Sequence, residues 1–148
     1  PGSLLAKDDK TSAPKFCAFE KPLQFLSNDE LAELMAEIGF DGIEATVRPG
    51  GRVLPEKVGE DLPRLHAALQ KRGREITILT SGIDSVGSPH AEKVLRTAAK
   101  LGIQRYRMDW WSYDLQQPIL PQLDALRPKL KELAAQLAKL RQPGASRP

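Results

Sequence analysis

Cysteine is almost missing from this chain: Cys17 stands alone among 148 residues. A single thiol builds neither an internal disulfide framework nor a multi-cysteine metal site. On a short apolar and aromatic segment it reads as a small core residue. Histidine is nearly as scarce. His66 and His90 share no i, i+4 spacing with each other or with carboxylates in a ligand pattern, so both read as solvated helix positions. No apolar run approaches the ~18 residues that a membrane span requires. Concentrated charge is absent too. The 22 Lys and Arg are scattered among 19 Asp and Glu, for a net charge of +3. Without a clustered basic face, nucleic acid is not implied as a partner.

What remains is an ordinary globular composition, 41% hydrophobic and 28% charged, in a length that suits one domain with a real core. Residues 1–15 are polar and without period, so they read as a disordered leader, either a cloning scar or the mature end left by a removed signal peptide. The domain is expected over 16–141, with a disordered tail at 142–148. A soluble protein is expected, cytoplasmic or exported.

Residues 39–51, Gly-Phe-Asp-Gly-Ile-Glu-Ala-Thr-Val-Arg-Pro-Gly-Gly, organise the chain. Gly39 suits the left-handed position that ends a helix. From Gly42 the pattern has period two, with Ile43, Ala45 and Val47 on one face and Glu44, Thr46 and Arg48 on the other. Pro49, Gly50 and Gly51 stop the strand. Arg48 is thereby delivered to a strand's C-terminal end, where parallel α/β sheets bind their ligands. The paired glycines lack the glycine–lysine–serine signature of a phosphate loop.

The same unit recurs. Phe16–Lys21 reads as a first strand, followed by a capping box at Ser27 and Glu30. The stripe Leu31, Leu34, Met35, Ile38 makes the first helix. After the Gly50-Gly51 loop, Asp61 is expected to cap a helix with Pro63 in its first turn, closed by Gly73. Glu75–Ser81 is a third strand. Ser88 and Pro89 read as a cap and first helical position, and Gly102 as the next stop. Ile103–Trp110 reads as a fourth strand with Arg105, Arg107 and Asp109 on one face. A leucine stripe from Leu123 to Leu140 marks a last helix, with Pro128 its start or a kink. Four strand–helix units with closing glycines at 39, 73 and 102 predict an α/β fold with parallel strands joined by right-handed crossovers. Eight units usually take about 250 residues, so the chain holds about half of a TIM barrel.

The segments Gly39–Gly51, Pro89–Ala99, Tyr106–Met108 and Ile119–Leu123 resemble, in order, the sugar phosphate isomerase/epimerase-like family of the xylose-isomerase-like barrel superfamily. The resemblance runs from about Phe16 to Leu140 and covers the N-terminal half of such a barrel. It implies metal-assisted proton transfer beside a sugar carbonyl in the complete barrel. The divalent ion, Mn²⁺ or Mg²⁺, would be held by ligands on later strands, so no metal site is expected on this chain alone and the chain is expected to be inactive by itself. It also implies a sugar or sugar phosphate as ligand, with Arg48 and Arg107 as substrate-orienting groups. The family often carries histidine after the second glycine; here Arg52 stands there.

Each candidate has a structural role open beside the functional one. Arg48 can hold a sugar hydroxyl, carboxylate or phosphate, or pair with Glu44 two positions back. Arg105, Arg107 and Asp109 either form an internal ion-pair layer or line a pocket, since burying them unpaired is expensive. Trp110 and Trp111 either wall a sugar site or cover the core. Thr80, Ser81 and Asp84 either bond ligand hydroxyls or satisfy nearby backbone. A half barrel leaves two open edges, so two chains pairing, or a missing C-terminal half, would complete it. The alternative functions are a non-catalytic sugar-binding or assembly module and, from the same superfamily, an abasic-site nuclease-like barrel. Scattered charge argues against the nuclease.

Overall fold

Four strands, β1 (Cys17–Phe19), β2 (Gly42–Val47), β3 (Glu75–Ser81) and β4 (Tyr106–Arg107), pair in chain order and all parallel. The structure is a computed structural model that describes residues 13–140. The expected tail, and all but the last three residues of the expected leader, lie outside the described residues. Strand order that never reverses is the order of a (β/α) barrel, whereas a doubly wound sheet reverses at a switch point. With each crossover right-handed and each step in one direction, the helices fall on a single face.

Those helices are α1 (Asn28–Ile38), α2 (Val58–Lys71), α3 (Ala91–Lys100) and α4 (Ile119–Leu140), and they touch in that order. Local chemistry explains α1. Ser27 accepts the Glu30 amide while the Glu30 carboxylate accepts that of Ser27, and Gly39 closes the last turn at φ 91°. The core lies between helices and sheet. Ile43, Ala45 and Val47 of β2 and Leu79 of β3 meet Leu31 and Met35 of α1, Leu62, Leu65 and Leu69 of α2, and Val94 and Leu95 of α3, all fully buried or nearly so. Each buried Leu, Ile, Val or Met among them stabilises the fold by roughly 1.5–3 kcal/mol.

One irregularity bends the sheet. Ile43 pairs with Ile76 but Glu44 with Ile78, so Thr77 is an extra residue in β3. The bulge brings the Glu75 carbonyl so close to Gly42 that a Cβ there would lie 2.1 Å from its oxygen. Only glycine fits.

Five expectations need correction. The first strand, expected over Phe16–Lys21, keeps only Cys17–Phe19, and Lys21 opens a 3-10 turn. The second helix does not start at Asp61: Pro55 opens a 3-10 turn, and α2 begins at Val58, whose side chain is fully buried. Core burial overrides the capping signal there. The third helix begins at Ala91, because the Ser88 hydroxyl oxygen accepts the Asp84 and Ser85 amides rather than a helical one, while its O–H donates to the Asp84 carboxylate. His90 precedes it at φ 60°, the left-handed region that a histidine adopts only when its surroundings hold it there. The fourth strand shrinks from Ile103–Trp110 to Tyr106–Arg107, because pairing with β3 engages only Leu79 and Thr80. Pro128 does not start α4, which begins at Ile119 and runs on both sides of it.

Candidate functional site

At the C-terminal ends of the strands, two glutamates each gather a threonine and an arginine. The first group closes the rim. β1 ends at Phe19, and the next residue, Glu20, substitutes its carboxylate for a strand carbonyl. Its Oε1 accepts the Thr46 amide at 2.9 Å and also takes the Thr46 hydroxyl. Its Oε2 accepts Arg52 Nε at 2.9 Å. The Arg52 guanidinium also donates to the Leu23 carbonyl at 2.7 Å, the Leu26 carbonyl at 3.0 Å and Asn28 Oδ1 at 3.2 Å. The side chain of Glu20 is 0% exposed and that of Arg52 8%. Both carboxylate oxygens and all three guanidinium nitrogens have partners, which is the condition under which a buried ion pair is tolerable. This group fastens the β2–α2 loop. The Arg52 amide donates to Thr46 Oγ1 at 3.0 Å and the Gly51 amide to the Arg48 carbonyl at 2.8 Å.

The second group stays open. Glu44 accepts the Thr80 hydroxyl and, at 3.1 Å, Arg107 Nε, so an ion pair reaches from β2 across β3 to β4. Arg107 also lies over the Phe19 ring, 5.6 Å from its centroid, a favourable cation–π arrangement. Here the side chains are 16% exposed for Glu44 and 55% for Arg107. Of the two roles open to Arg48, the pair with Glu44 does not form: Arg107 occupies that carboxylate.

Arg48, a partly buried residue, therefore has no ion pair or side-chain hydrogen bond to any described residue. Its Cβ flanks Gly82, and the Asp109 carboxylate flanks Gly82 from the other strand: a Cβ built on Gly82 would meet them at 3.5 and 3.8 Å. The root of the Arg48 side chain, the Asp109 carboxylate and bare glycine backbone thus lie together just past the ends of β2, β3 and β4. A groove of about 260 Å³ adjoins them, lined by Val47, Pro49, Pro55, Ile83, Pro89 and His90. A second hollow, about 240 Å³, lies at the opposite strand ends among Lys15, His66, Glu75 and Arg105. That edge is remote from where parallel sheets place ligands.

The other expected residues divide. Thr80 joins Glu44, while Ser81 is buried and accepts the Ile83 amide at 3.2 Å. Asp109 caps its own segment by accepting the Trp110 amide at 3.0 Å, and its amide donates to the Ile83 carbonyl. Trp110 is 75% exposed, so it covers no core. Trp111 is partly buried; its indole N–H closes no hydrogen bond within ordinary geometry, though it faces Asp84. The Ser88 hydroxyl, then that of Ser85, holds the Asp84 carboxyl below the usual carboxylate range. Burial pushes the Tyr106 phenol up, and its O–H donates to the Ile83 carbonyl at 2.7 Å. Burial also raises the Cys17 thiol, the Glu44 charge adds to this, and Arg105 opposes it. Sequence reasoning missed Glu20 and saw Arg52 only as a departure from a family pattern. The one available signal was an acidic residue closing an aromatic strand.

The donor set does not suit a divalent metal. Among the described residues no three of His, Cys, Asp and Glu converge. The rim carboxylates are engaged as well: Glu44 by Thr80 and Arg107, Asp84 by two serines. No described helix is long and apolar enough to cross a membrane.

No family model matches the chain, and no curated protein sequence does. Among solved structures, the chain is similar to the D-psicose 3-epimerase of Clostridium cellulolyticum H10, determined with D-tagatose. The TM-score is 0.56 at 16% identity, over 78% of this chain and 45% of that one. At such identity the likeness shows the fold alone: four parallel strand–helix units that match part of a larger barrel. The chain spans less than half the length of that epimerase.

Proposed function

We propose that this chain is the substrate-orienting half of a sugar isomerase/epimerase-like barrel, with Arg48 its ligand-holding group. The observation that carries the reading is the unpaired Arg48 guanidinium. Arg48 follows β2 at the ligand edge of a parallel sheet, with its Cβ beside Gly82 and the Pro49–Gly51 loop directly after it. A partly desolvated cation without a partner costs stability unless something else supplies charge or hydrogen bonds. Its planar fork suits vicinal hydroxyls, a carboxylate or a phosphate. The Asp109 carboxylate across Gly82 adds an acceptor for hydroxyl protons. Similarity in fold to an epimerase is consistent with a polyhydroxylated ligand, although fold alone assigns no activity.

Neither Glu44 nor Asp84 is set up as a base. Glu44 is neutralised by Arg107, and Asp84, held low, is a weak proton acceptor. The contribution of these residues is to bind and orient. Titration calorimetry of the chain with a ketose and a ketose phosphate, each with and without Mn²⁺, tests the reading. Expected is weak, metal-independent binding that Arg48→Ala reduces by about tenfold or more, the loss of one charge-assisted contact. Equal binding by wild type and Arg48→Ala, or Mn²⁺-dependent epimerisation by the chain alone, would overturn it. The engagement of the rim carboxylates favours a second reading, a sugar-binding module without chemistry. Binding that persists while a completed eight-strand assembly remains inactive would select it.

A further inference from the structure

The sheet leaves two strand edges and one face without partners among the described residues. β1 pairs only with β2 and β4 only with β3. Parallel sheets are normally covered on both faces, yet only one face carries helices. On the uncovered face lies the Glu44–Arg107 pair, with Arg107 more than half exposed. The helix layer is unfinished in the same way. α1 and α4 are its ends, and they carry exposed apolar side chains: Ile38 on α1, and Leu120, Leu123 and Leu130 on α4.

We propose that the uncovered face and both edges are completed by a second copy of this chain, related by a twofold axis along the sheet's barrel axis. That operation sets β4 of each copy beside β1 of the other, all strands remaining parallel, and closes eight strands. It also sets α4 beside α1 of the other copy, where the exposed leucines find cover. The charges support a second copy as the occupant. A barrel interior is layered, and alternate strands contribute each layer of four side chains. β2 and β4 already place Glu44 and Arg107 at one level, 3.1 Å apart across β3. The twofold axis adds Glu44 and Arg107 of the other copy, so the layer reads minus, plus, minus, plus around the ring. Such a layer is complementary to itself, which is what an interface between identical surfaces requires. The proposal rests on fold and charge and is independent of any sugar ligand.

Sedimentation equilibrium of the 148-residue chain, with Glu44→Arg, Arg107→Glu and the double exchange, tests it. Wild type is expected to be dimeric. Each single exchange makes the layer all positive or all negative and weakens association by on the order of a hundredfold. The double exchange restores the alternation and the dimer. Mixing the two single variants also restores association, because an all-positive half then meets an all-negative one; a variant that merely failed to fold would not respond to mixing. A monomeric wild type overturns the proposal. So does a dimer indifferent to all these exchanges, which would place the contact elsewhere, for instance on the α4 leucines. A single-exchange pair that stays monomeric on mixing overturns it as well.

Discussion

The two glutamate–threonine–arginine groups use the same side chains for opposite ends. Glu20, Thr46 and Arg52 are sealed in, each oxygen and nitrogen of the charged groups partnered, and they join β1, β2 and the loop that follows β2. Glu44, Thr80 and Arg107 join β2, β3 and β4 in almost the same pattern, but their arginine stands more than half in solvent. Water makes the difference. Around Glu20 each interaction acts in a low dielectric and each loss leaves a buried charge; around Glu44 solvent can replace whatever is removed. The closed group is architecture, and the open one is a surface with charge to offer.

The sharpest way to break that contrast is to truncate one member of each group. Glu20→Ala leaves Arg52 a buried, uncompensated cation and is expected to cost about 3–5 kcal/mol, read from urea unfolding. Exchanging both partners, Glu20→Met with Arg52→Met, is expected to cost much less than Glu20→Ala alone, because no charge is stranded. If the single and paired changes cost the same, the closed group is not held by its ion pair.

Arg107→Ala is expected to cost only about 0–1 kcal/mol, the range of exposed pairs. The measurement belongs at chain concentrations where association does not contribute. A loss as large as that of Glu20→Ala would mean that the two groups are energetically alike and that exposure does not separate them.

The same contrast marks how much the sequence disclosed. The Ser27–Glu30 capping box, the Gly39 stop, the alternation of β2 and the span of β3 were all legible, because neighbours within four residues decide them. So was the parallel order of the strands, which follows from the repeat. The partners of charged side chains were not. Arg48 and Glu44 lie on one strand and read as a pair, yet Arg107, 63 positions from Glu44, reaches that carboxylate first. Glu20 carried no local sign that it would take over a strand's hydrogen bonds to Thr46. The two misplaced helix starts have the same origin. The burial of Val58 and the capture of Ser88 by Asp84 are settled by the packed fold, which local signals do not report.

Cys17 offers the finest probe of the open group, since Glu44 acts on it through space. Its thiol already sits above the ordinary cysteine value, chiefly by burial, with the Glu44 charge second and Arg105 opposing. A nearby negative charge disfavours the thiolate, so Glu44→Gln lowers the thiol pKa and enlarges the thiolate fraction at any pH below it. Burial remains, so the value stays raised. Alkylation by iodoacetamide at mildly alkaline pH is then expected to accelerate about twofold, whereas Arg105→Gln, which removes an opposing positive charge, slows it. The paired arms guard against simple loosening of the sheet, because loosening would expose the thiol and speed the reaction in both variants. Acceleration in both would mean that access, rather than the field of the Glu44 group, governs this face.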